Sequence, residues 1–595
     1  METYGKQNKF GSGPRIWLAQ PAIVTLVLGV VLASGNSLAQ NHGAVQGVEA
    51  IGAARSVDMR ALPRVTAADM TLRKLPRPRS GLSDSAWAAA KAQAAAGGGA
   101  RLPTTVGLSA PSTGSAAAPR QIVNIEGDAQ FQPCSNLTPA DQALAVGDGP
   151  NPILQVVNAC LSVWRTNGTR IIGPVSLQTF FGLPASTAVF DPRALFDWYN
   201  HRFIVIATDT DGANSNNINI AVSRSDDPAG LWWTYRIPVL SQAGALADYP
   251  RLGQDRTSLY PGFSAPGAIY VASNLFSNST GAYLKEEWLV LPKGPMYAGA
   301  GFSFVFFSGM TSGGVATDTS QPVNVWSPYE QPRAGFFITS KNIFNGRCLA
   351  PCNGLTVWAV SNPFGFVSGG DSPELSSVVI PTANNYSFPP DAPQPGGPNT
   401  IDTIDTRISG TPTYAHGHIH AALVTANGTG GVASIIYKVQ PFLNATNGAR
   451  CTTSVGLCPQ ITGALIRNES VVNYGGTNAA FFPTPQPDLD GNVTTVLSYS
   501  STAFFPSLIY ISQRVTQPVG TFVDSGWFLA VGLGQYTQGR WGDYTAVAPA
   551  GVFYASGDGG ATGNNGMAFA GMYAGTPNRW RTRIGYTLFN APGQH

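Results

Sequence analysis

One short phrase returns along this chain and limits what it can build. Phe190-Asp191-Pro192-Arg193-Ala194-Leu195-Phe196-Asp197 leads to the apolar run Phe203-Ile204-Val205-Ile206-Ala207. Asp248-Tyr249-Pro250-Arg251-Leu252-Gly253 leads to Ala268-Ile269-Tyr270-Val271-Ala272, and Gln331-Pro332-Arg333-Ala334-Gly335 leads to Leu355-Thr356-Val357-Trp358-Ala359. Arg540-Trp541-Gly542-Asp543-Tyr544 opens a last copy. Each copy is a polar or proline-marked lead-in, a strand, a turn and a second strand. A strand-built repeat of roughly 40–50 residues is the mark of a β-propeller.

Seven such openings are expected: 139–147, then at Asp191, Asp248 and Gln331, then 414–423, 485–492, and at Arg540. No useful helical period lies between them. The expected fold is therefore all-β, a seven-bladed β-propeller over 122–595; a pair of β-sandwiches would use the same short strands. A second echo points the same way. Val222-Ser223-Arg224 through Pro228-Ala229-Gly230-Leu231-Trp232 matches Ile511-Ser512-Gln513 through Pro518-Val519-Gly520-Thr521-Phe522. Both read as a strand, a Pro-x-Gly turn and an aromatic entering the next strand, so both belong to one hairpin position in different repeats.

The first 121 residues read differently. Lys6, Lys9 and Arg15 precede the uncharged run 21–33, and Ser37-Leu38-Ala39 offers a cleavage site before Gln40. Residues 1–39 thus read as a signal peptide, with an uncleaved anchor as the alternative. Residues 40–121 read as a low-complexity linker, either a spacer or a pro-segment. A short helix is expected over 84–96 with Ser83 as its N-cap, and disorder elsewhere. Charged residues make up only 11% of 595 and the net charge is +3, which argues against a nucleic-acid partner. Secretion is the expected localisation.

The motifs Phe190-Asp191-Pro192-Arg193, Asp248-Tyr249-Pro250-Arg251, Arg540-Trp541-Gly542-Asp543-Tyr544 and Trp580-Arg581-Thr582-Arg583-Ile584-Gly585 resemble bacterial secreted propellers of the sialidase-like superfamily. The resemblance covers most of 139–590. It implies the propeller fold and no assigned activity. Ser225-Asp226-Asp227-Pro228-Ala229-Gly230-Leu231-Trp232 approaches the Ser-x-Asp-x-Gly-x-x-Trp repeat of true sialidases but departs from its spacing.

In a propeller the innermost strands converge on one funnel. Its expected lining is Asp141, Asp191, Arg193, Asp248, Arg251, Arg333, His416, His418, Asp488, Arg540 and Asp543. Arginines there would pair an acidic ligand, and two carboxylates about 5–10 Å apart would permit glycoside hydrolysis. The competing reading is structural, with Asp and Arg pairing between repeats. Four blades put an arginine at the inner strand: Arg193, Arg251, Arg333 and Arg540.

His416, His418 and His420 on one strand would share a face about 6.5–7 Å apart, a spacing used by metal ligands. Asp488-Leu489-Asp490-Gly491-Asn492 resembles the start of a calcium loop, though Asp-Gly is first a turn signal. A structural calcium is one expected cofactor; zinc or copper at the histidines, and zinc at Cys348 and Cys352, are the alternatives. Six cysteines in an exported chain favour disulfides, expected as Cys134–Cys160, Cys348–Cys352 and Cys451–Cys458. No nucleophile elbow, P-loop or dinucleotide fingerprint is present. The reading is a secreted propeller binding a glycan or protein ligand at its funnel. The alternative is a sialidase-like glycoside hydrolase acting on an acidic extracellular polysaccharide.

Overall fold

The computed structural model describes residues 45–65, 73–74, 82–105, 111, 119–130, 137–149, 151–212, 216–256, 267–327, 329–330, 332–341, 348–368, 373–444, 459–550 and 566–589. Among these the strands pair into seven successive four-stranded antiparallel meanders. The first is Ala143–Val146, Ile153–Val157, Cys160–Trp164 and Arg170–Ser176. The second is Ala188–Asp197, Arg202–Thr210, Asn216–Ser223 and Leu231–Pro238. The third is Ala245–Gln254, Ala268–Ser277, Tyr283–Pro292 and Phe302–Ser308. The fourth is Gln321–Pro322, Gly335–Ser340, Leu355–Ser361 and Glu374–Ile380. The fifth is Thr413–Ala415, His418–Ala426, Val432–Leu443 and Ile461–Val472. The sixth is Ala479–Pro487, Val493–Ser500, Ser507–Gln513 and Trp527–Ala530.

The seventh meander closes on the other end of the chain. Ala546–Ala550, Gly566–Gly575 and Arg579–Leu588 are completed by Arg120–Ala129. A strand from the start of the fold therefore supplies the fourth strand of its last sheet.

Packing explains why these strands are apolar on both faces. Successive side chains of a strand point to opposite faces. Phe203, Val205 and Ala207 pack with the first meander's Leu154, Val163 and Phe180. Ile204 and Ile206, on the other face, pack with the third meander's Leu252, Ile269 and Leu289. The same sandwiching continues from the third to the fourth, fourth to fifth, fifth to sixth and sixth to seventh meanders. A further cluster joins the seventh to the first: Val146, Ile153 and Trp164 meet Ala548, Ala570, Ile584 and Tyr586. Each sheet thus buries both faces against its neighbours, which is why the strands read as near-continuous apolar runs.

Three expected openings differ from the observed first strands. In the fourth meander the first strand is Gln321–Pro322, so Gln331-Pro332-Arg333 leads into the second strand. In the fifth, 414–423 is not one strand. His416 and Gly417 both have positive φ (52° and 74°) and turn the chain between the paired residues Ala415 and His418. That is the backbone of a two-residue hairpin. In the sixth, 485–492 closes the first strand rather than opening it. The echo between 222–232 and 511–522 is as expected, since both span the third-to-fourth strand connection.

The described parts of 40–121 are folded against the body, unlike the disorder expected of them. Val45–Ile51 adds a fifth strand beyond Phe302–Ser308, and Arg55–Asp58 adds one beyond Leu231–Pro238. The helix Asp84–Ala95 does form, and Ser83 Oγ accepts from Ala86 N at 3.2 Å as its N-cap. Its Trp87 and Lys91 are buried against Phe388 and the loop 391–404. The sequence rule failed here because these segments bury themselves on another body, not on each other. Residues 1–39 lie outside the described residues. Among the described residues no helix is long and apolar enough to cross a membrane.

Cys348–Cys352 is a disulfide, as expected from proximity. Cys160 is disulfide-bonded too. Cys134, Cys451 and Cys458 lie outside the described residues.

Candidate functional site

The first strands of the meanders converge, and each is approached through a residue in an unusual backbone state. Asp141, Asp191, Tyr249, Thr319, Ile404 and Phe482 have φ between 37° and 59°, and Gly542 has 150°. That is one such residue ahead of or inside each first strand. In the second, third and sixth meanders it marks a bulge where the pairing register shifts. A left-handed residue in a bulge re-aims its backbone N–H away from the ladder, so a partner must be found elsewhere.

The partners are side chains of neighbouring meanders. Asp191 N donates to Asn158 Oδ1 at 2.8 Å, Tyr249 N to Asp191 Oδ2 at 3.2 Å and Thr319 N to Asn274 Oδ1 at 3.0 Å. Asp543 N donates to Asp141 Oδ1 at 2.8 Å, and Asn158 Nδ2 to Asp141 Oδ2 at 2.7 Å. Asp141 and Asp191 therefore tie meander to meander.

The crowding of these carboxylates is visible in their protonation. Burial, then Asp543, push Asp141 up to about 7 despite the nearby Arg540. Burial first, then Asp141, Asp248 and Asp543, push Asp191 well above the carboxylate range. Arg540 pairs with Asp543. Asp141, Asp191, Asp543 and Arg540 are thus brought together, with the half-buried Asp248 near them.

Arg251 is turned away from this group. Its Nη2 meets Glu286 Oε1 at 2.6 Å with both side chains fully buried, and Glu286 also accepts from Ser320 N and Oγ. It joins the third meander to the start of the fourth. Arg333 is exposed at the bend before Gly335–Ser340, at the lead-in to the fourth meander's second strand. His416 is exposed in its turn, its N–H donating to Glu330 and its Nε2 3.2 Å from Asp488 O. His418 Nδ1 contacts His416 O, and His420 is buried in the strand. The turn at 416–417 breaks the common face on which the three histidines were expected. Asp488 accepts from Asp490 N at 2.9 Å, Asn492 N at 2.8 Å and Asn492 Nδ2 at 2.8 Å, which is the bonding of an Asx turn. Among the described residues no group of three or more His, Cys, Asp or Glu side chains is placed to hold a metal ion.

Arg193 is almost fully buried and lines a narrow cleft. Its guanidinium lies 3.3 Å from the ring centroid of Tyr544 and 5.2 Å from that of Tyr249. Nε donates to Pro250 O at 3.2 Å and Nη1 to Ser409 O at 3.3 Å. Tyr544 is itself fixed by its hydroxyl, which donates to Pro192 O at 2.9 Å. That cleft, beside the stack, has a cavity volume of about 10 Å³, the room that one water molecule needs. Gln142, Arg193, Thr411, Tyr544 and Thr545 supply its polar wall, with Ala143, Leu144, Ala194, Ala546 and Val547 around them.

Two polar atoms of that wall, both closed to solvent, have no hydrogen-bond partner among the described residues: Arg193 Nη2 and Gln142 Oε1. Both residues are at least nine-tenths buried. Gln142 Nε2 donates to Tyr544 O at 2.6 Å, which fixes which end of the amide stays unpaired. Buried groups left without partners are costly, so such a pair marks a place where a ligand or water completes the bonding. Gln142, Thr411, Tyr544 and Thr545 were not singled out from sequence. Tyr544 stood inside a highlighted motif, and Gln142 directly follows Asp141. Thr411 and Thr545 gave no signal.

No family profile matches this chain, and no curated protein is similar to it. Two solved structures are similar at a distance. One is a protein of unknown function from Dyadobacter fermentans DSM 18053, at 9% identity and a TM-score of 0.28, covering 79% of this chain and 99% of its own. The other is an N-acetylgalactosamine deacetylase from F. plautii, solved with blood group B trisaccharide. It shows 10% identity and a TM-score of 0.26, covering 83% of this chain and 99% of its own. At those scores neither defines a shared fold.

Proposed function

We propose that this chain is an exported seven-bladed β-propeller that binds a glycan in the cleft beside Arg193 and Tyr544, without turnover. The fold half of the reading is supported by the seven meanders and by the apolar clusters that join each to the next and the seventh to the first. The resemblance of the Asp191-Pro192-Arg193 and Asp248-Tyr249-Pro250-Arg251 openings to sialidase-like propellers agrees with it. Export rests on the n-region, apolar run and cleavage site of residues 1–39. The Cys348–Cys352 disulfide suits an oxidising compartment.

The observation behind binding is the unpaired donor and acceptor in the cleft wall, Arg193 Nη2 and Gln142 Oε1, both closed to solvent in this structure. A sugar hydroxyl, which both accepts and donates, would reach them only where the cleft mouth at Thr411 opens. Hydrolysis is the less favoured reading. It needs two carboxyls flanking a scissile bond, whereas Asp141 and Asp191 are engaged by backbone N–H groups and do not line the cleft. The test is a glycan array on the whole chain, followed by titration of hits against wild type and Thr411→Trp. Thr411 is only half-buried, so an indole there fills the cleft mouth with little strain. Binding that is lost in Thr411→Trp at an unchanged melting temperature supports the reading. Glycan binding untouched by the blocked cleft would sink it.

A further inference from the structure

The run His416-Gly417-His418-Ile419-His420 takes no part in the cleft, and its surroundings are the opposite of a metal site. We infer that the fifth meander holds an oxyanion of the sulfate or phosphate kind between Lys438 and Arg467, beside His418; the site is separate from the Arg193 cleft and does not rest on it.

Alternate residues of a strand share a face. On the face turned to the sixth meander, the fifth has Ala422 opposite Ile436, packed with Leu497 and Ile509. Two residues further along, the same face carries His420 opposite Lys438 and Lys438 opposite Asn468, and His418 follows. The seam therefore begins apolar and ends basic. At Lys438 the pairing register jumps: Val439 is opposite Ile466, so Arg467 is the extra residue of a bulge. A bulge re-aims the side chain it carries. Arg467 Nε donates to Gln440 Oε1 at 2.8 Å, on the Lys438 face, and its charge acts on His418.

No carboxylate answers this charge. Among the described residues Lys438 has neither a hydrogen bond nor an ion pair, and Arg467 has no ion pair. Burial alone holds the Lys438 ammonium below its ordinary value. His420, opposite it, is buried with Nε2 unpartnered; burial first, then Lys438, His418 and His416, push it well below the usual imidazole range. Thr495 and Gln513, which the sixth meander turns to this face, are neutral. Asp488, in the turn beside His416, is engaged by Asn492 and by the backbone of Asp490, and Asp490 is exposed in that turn. A cation here would meet the Lys438 ammonium. An anion relieves two charges that the fold leaves uncompensated.

The site is open. Arg467 is exposed and Lys438 and His418 are partly so, and a ligand reaches them from solvent without entering a cavity. Lys438 and the bulge stand on neighbouring strands, about 5 Å apart at their Cβ atoms. A tetrahedral dianion presents oxygens to both heads at once, and its charge matches two cations.

The experiment uses the whole chain. Lys438 is acetylated with an N-hydroxysuccinimide ester, and the rate is followed by peptide mass spectrometry with the partly exposed Lys285 as internal reference. Sodium sulfate, sodium phosphate, glucose 6-phosphate or glucose is added at constant ionic strength, set with sodium chloride. The expected result is that the oxyanions slow acetylation of Lys438 saturably and leave Lys285 alone, whereas chloride and glucose do neither. The concentration for half protection should rise about tenfold in Arg467→Gln, the worth of one charge-assisted hydrogen bond. It should stay the same in Arg120→Gln, at an exposed position of another meander. Glucose 6-phosphate protecting about tenfold better than inorganic phosphate identifies the ligand as a phosphorylated sugar; equal protection identifies it as the free anion. Chloride protecting as well as sulfate, no protection by any oxyanion, or protection indifferent to Arg467→Gln at an unchanged melting temperature overturns the site. Each of those results leaves the reading of the Arg193 cleft untouched.

Discussion

Single residues at the centre of this protein do two kinds of work that look alike in sequence. Arg193 and Arg251 each follow a proline preceded by one acidic and one aromatic residue. Arg251 is spent on Glu286 in a fully buried pair, while Arg193 is held by the carbonyls of Pro250 and Ser409 and stacked on Tyr544 beside a cleft. Asp141 shows the cost of gathering acids in a dry place. Burial first, and Asp543 second, raise its carboxyl to about 7 from the ordinary 3.8. A carboxyl whose folded value is raised contributes stability that is complete below the unfolded value. That contribution drains as pH rises from 3.8 toward about 7 and is gone above it. Asp141→Asn imitates the protonated acid at every pH. Its stability relative to wild type should therefore improve steadily across that window, read by urea denaturation at several pH values. A difference that stays flat with pH would mean that Asp141 does not titrate there.

At the scale of elements, the helix Asp84–Ala95 is the clearest case of a segment made by its surroundings. Five of its residues between 86 and 92 are alanine, it is short, and it has little propensity to stand alone. Lys91 holds it down. Its Nζ donates to Ile404 O at 2.7 Å and Thr403 Oγ1 at 3.0 Å, and lies 3.2 Å from Asp391 and 3.4 Å from Asp402. Burying one ammonium against two carboxylates is tolerable only while the set is complete. Lys91→Ala leaves Asp402 buried beside Asp391 with no cation from the helix. The expected loss is about 3 kcal/mol, the lower part of the range for breaking a buried pair because Asp391 is a third exposed. Hydrogen exchange should show the helix amides opening first. A variant that keeps both its melt and its helix protection would place the anchor elsewhere, for instance in the contact of Trp87 with Phe388.

For the whole molecule, the decisive contact is the one between the two ends of the fold. Arg120–Ala129 pairs with Arg579–Leu588, and Gln155 of the first meander bridges the seam. Its Oε1 accepts from Asp128 N at 2.8 Å and its Nε2 donates to Thr582 Oγ1 at 2.8 Å. Gly127 sits directly under this bridge. A Cβ there would lie 2.5 Å from both Gln155 Oε1 and Thr582 Oγ1. Gly127→Ala should cost about 1–3 kcal/mol, the usual range for overpacking. The loss should appear as one cooperative transition moved to lower denaturant, since the first and seventh meanders share the seam. Two separated transitions would show that the seam does not couple the ends.

The all-β class, the returning strand-turn-strand unit and the helix cap at Ser83 were legible in the sequence, because each is set by local chemistry. Alternating apolar residues, proline and glycine at turns, and a serine oxygen over a free N–H need no distant partner. The disulfide Cys348–Cys352 was legible for the same reason of proximity. Where each meander begins was legible only when a proline or aspartate marked it, as at 190–193 and 248–251. Thr319 carries none of those marks, so the opening of the fourth meander was placed late, at the lead-in to its second strand with Arg333, and the turn at His416-Gly417 was read as part of one strand. Where the described residues of 45–105 dock was not legible, although the helix after Ser83 was. Their partners, Phe302–Ser308, Leu231–Pro238 and the loop 391–404, lie far off in the chain, and only tertiary contact supplies an edge or a carboxylate for them. The same holds for the cleft. Sequence put arginines near the centre, but which one stacks on Tyr544 and which one pairs with Glu286 was decided by what the fold laid against each.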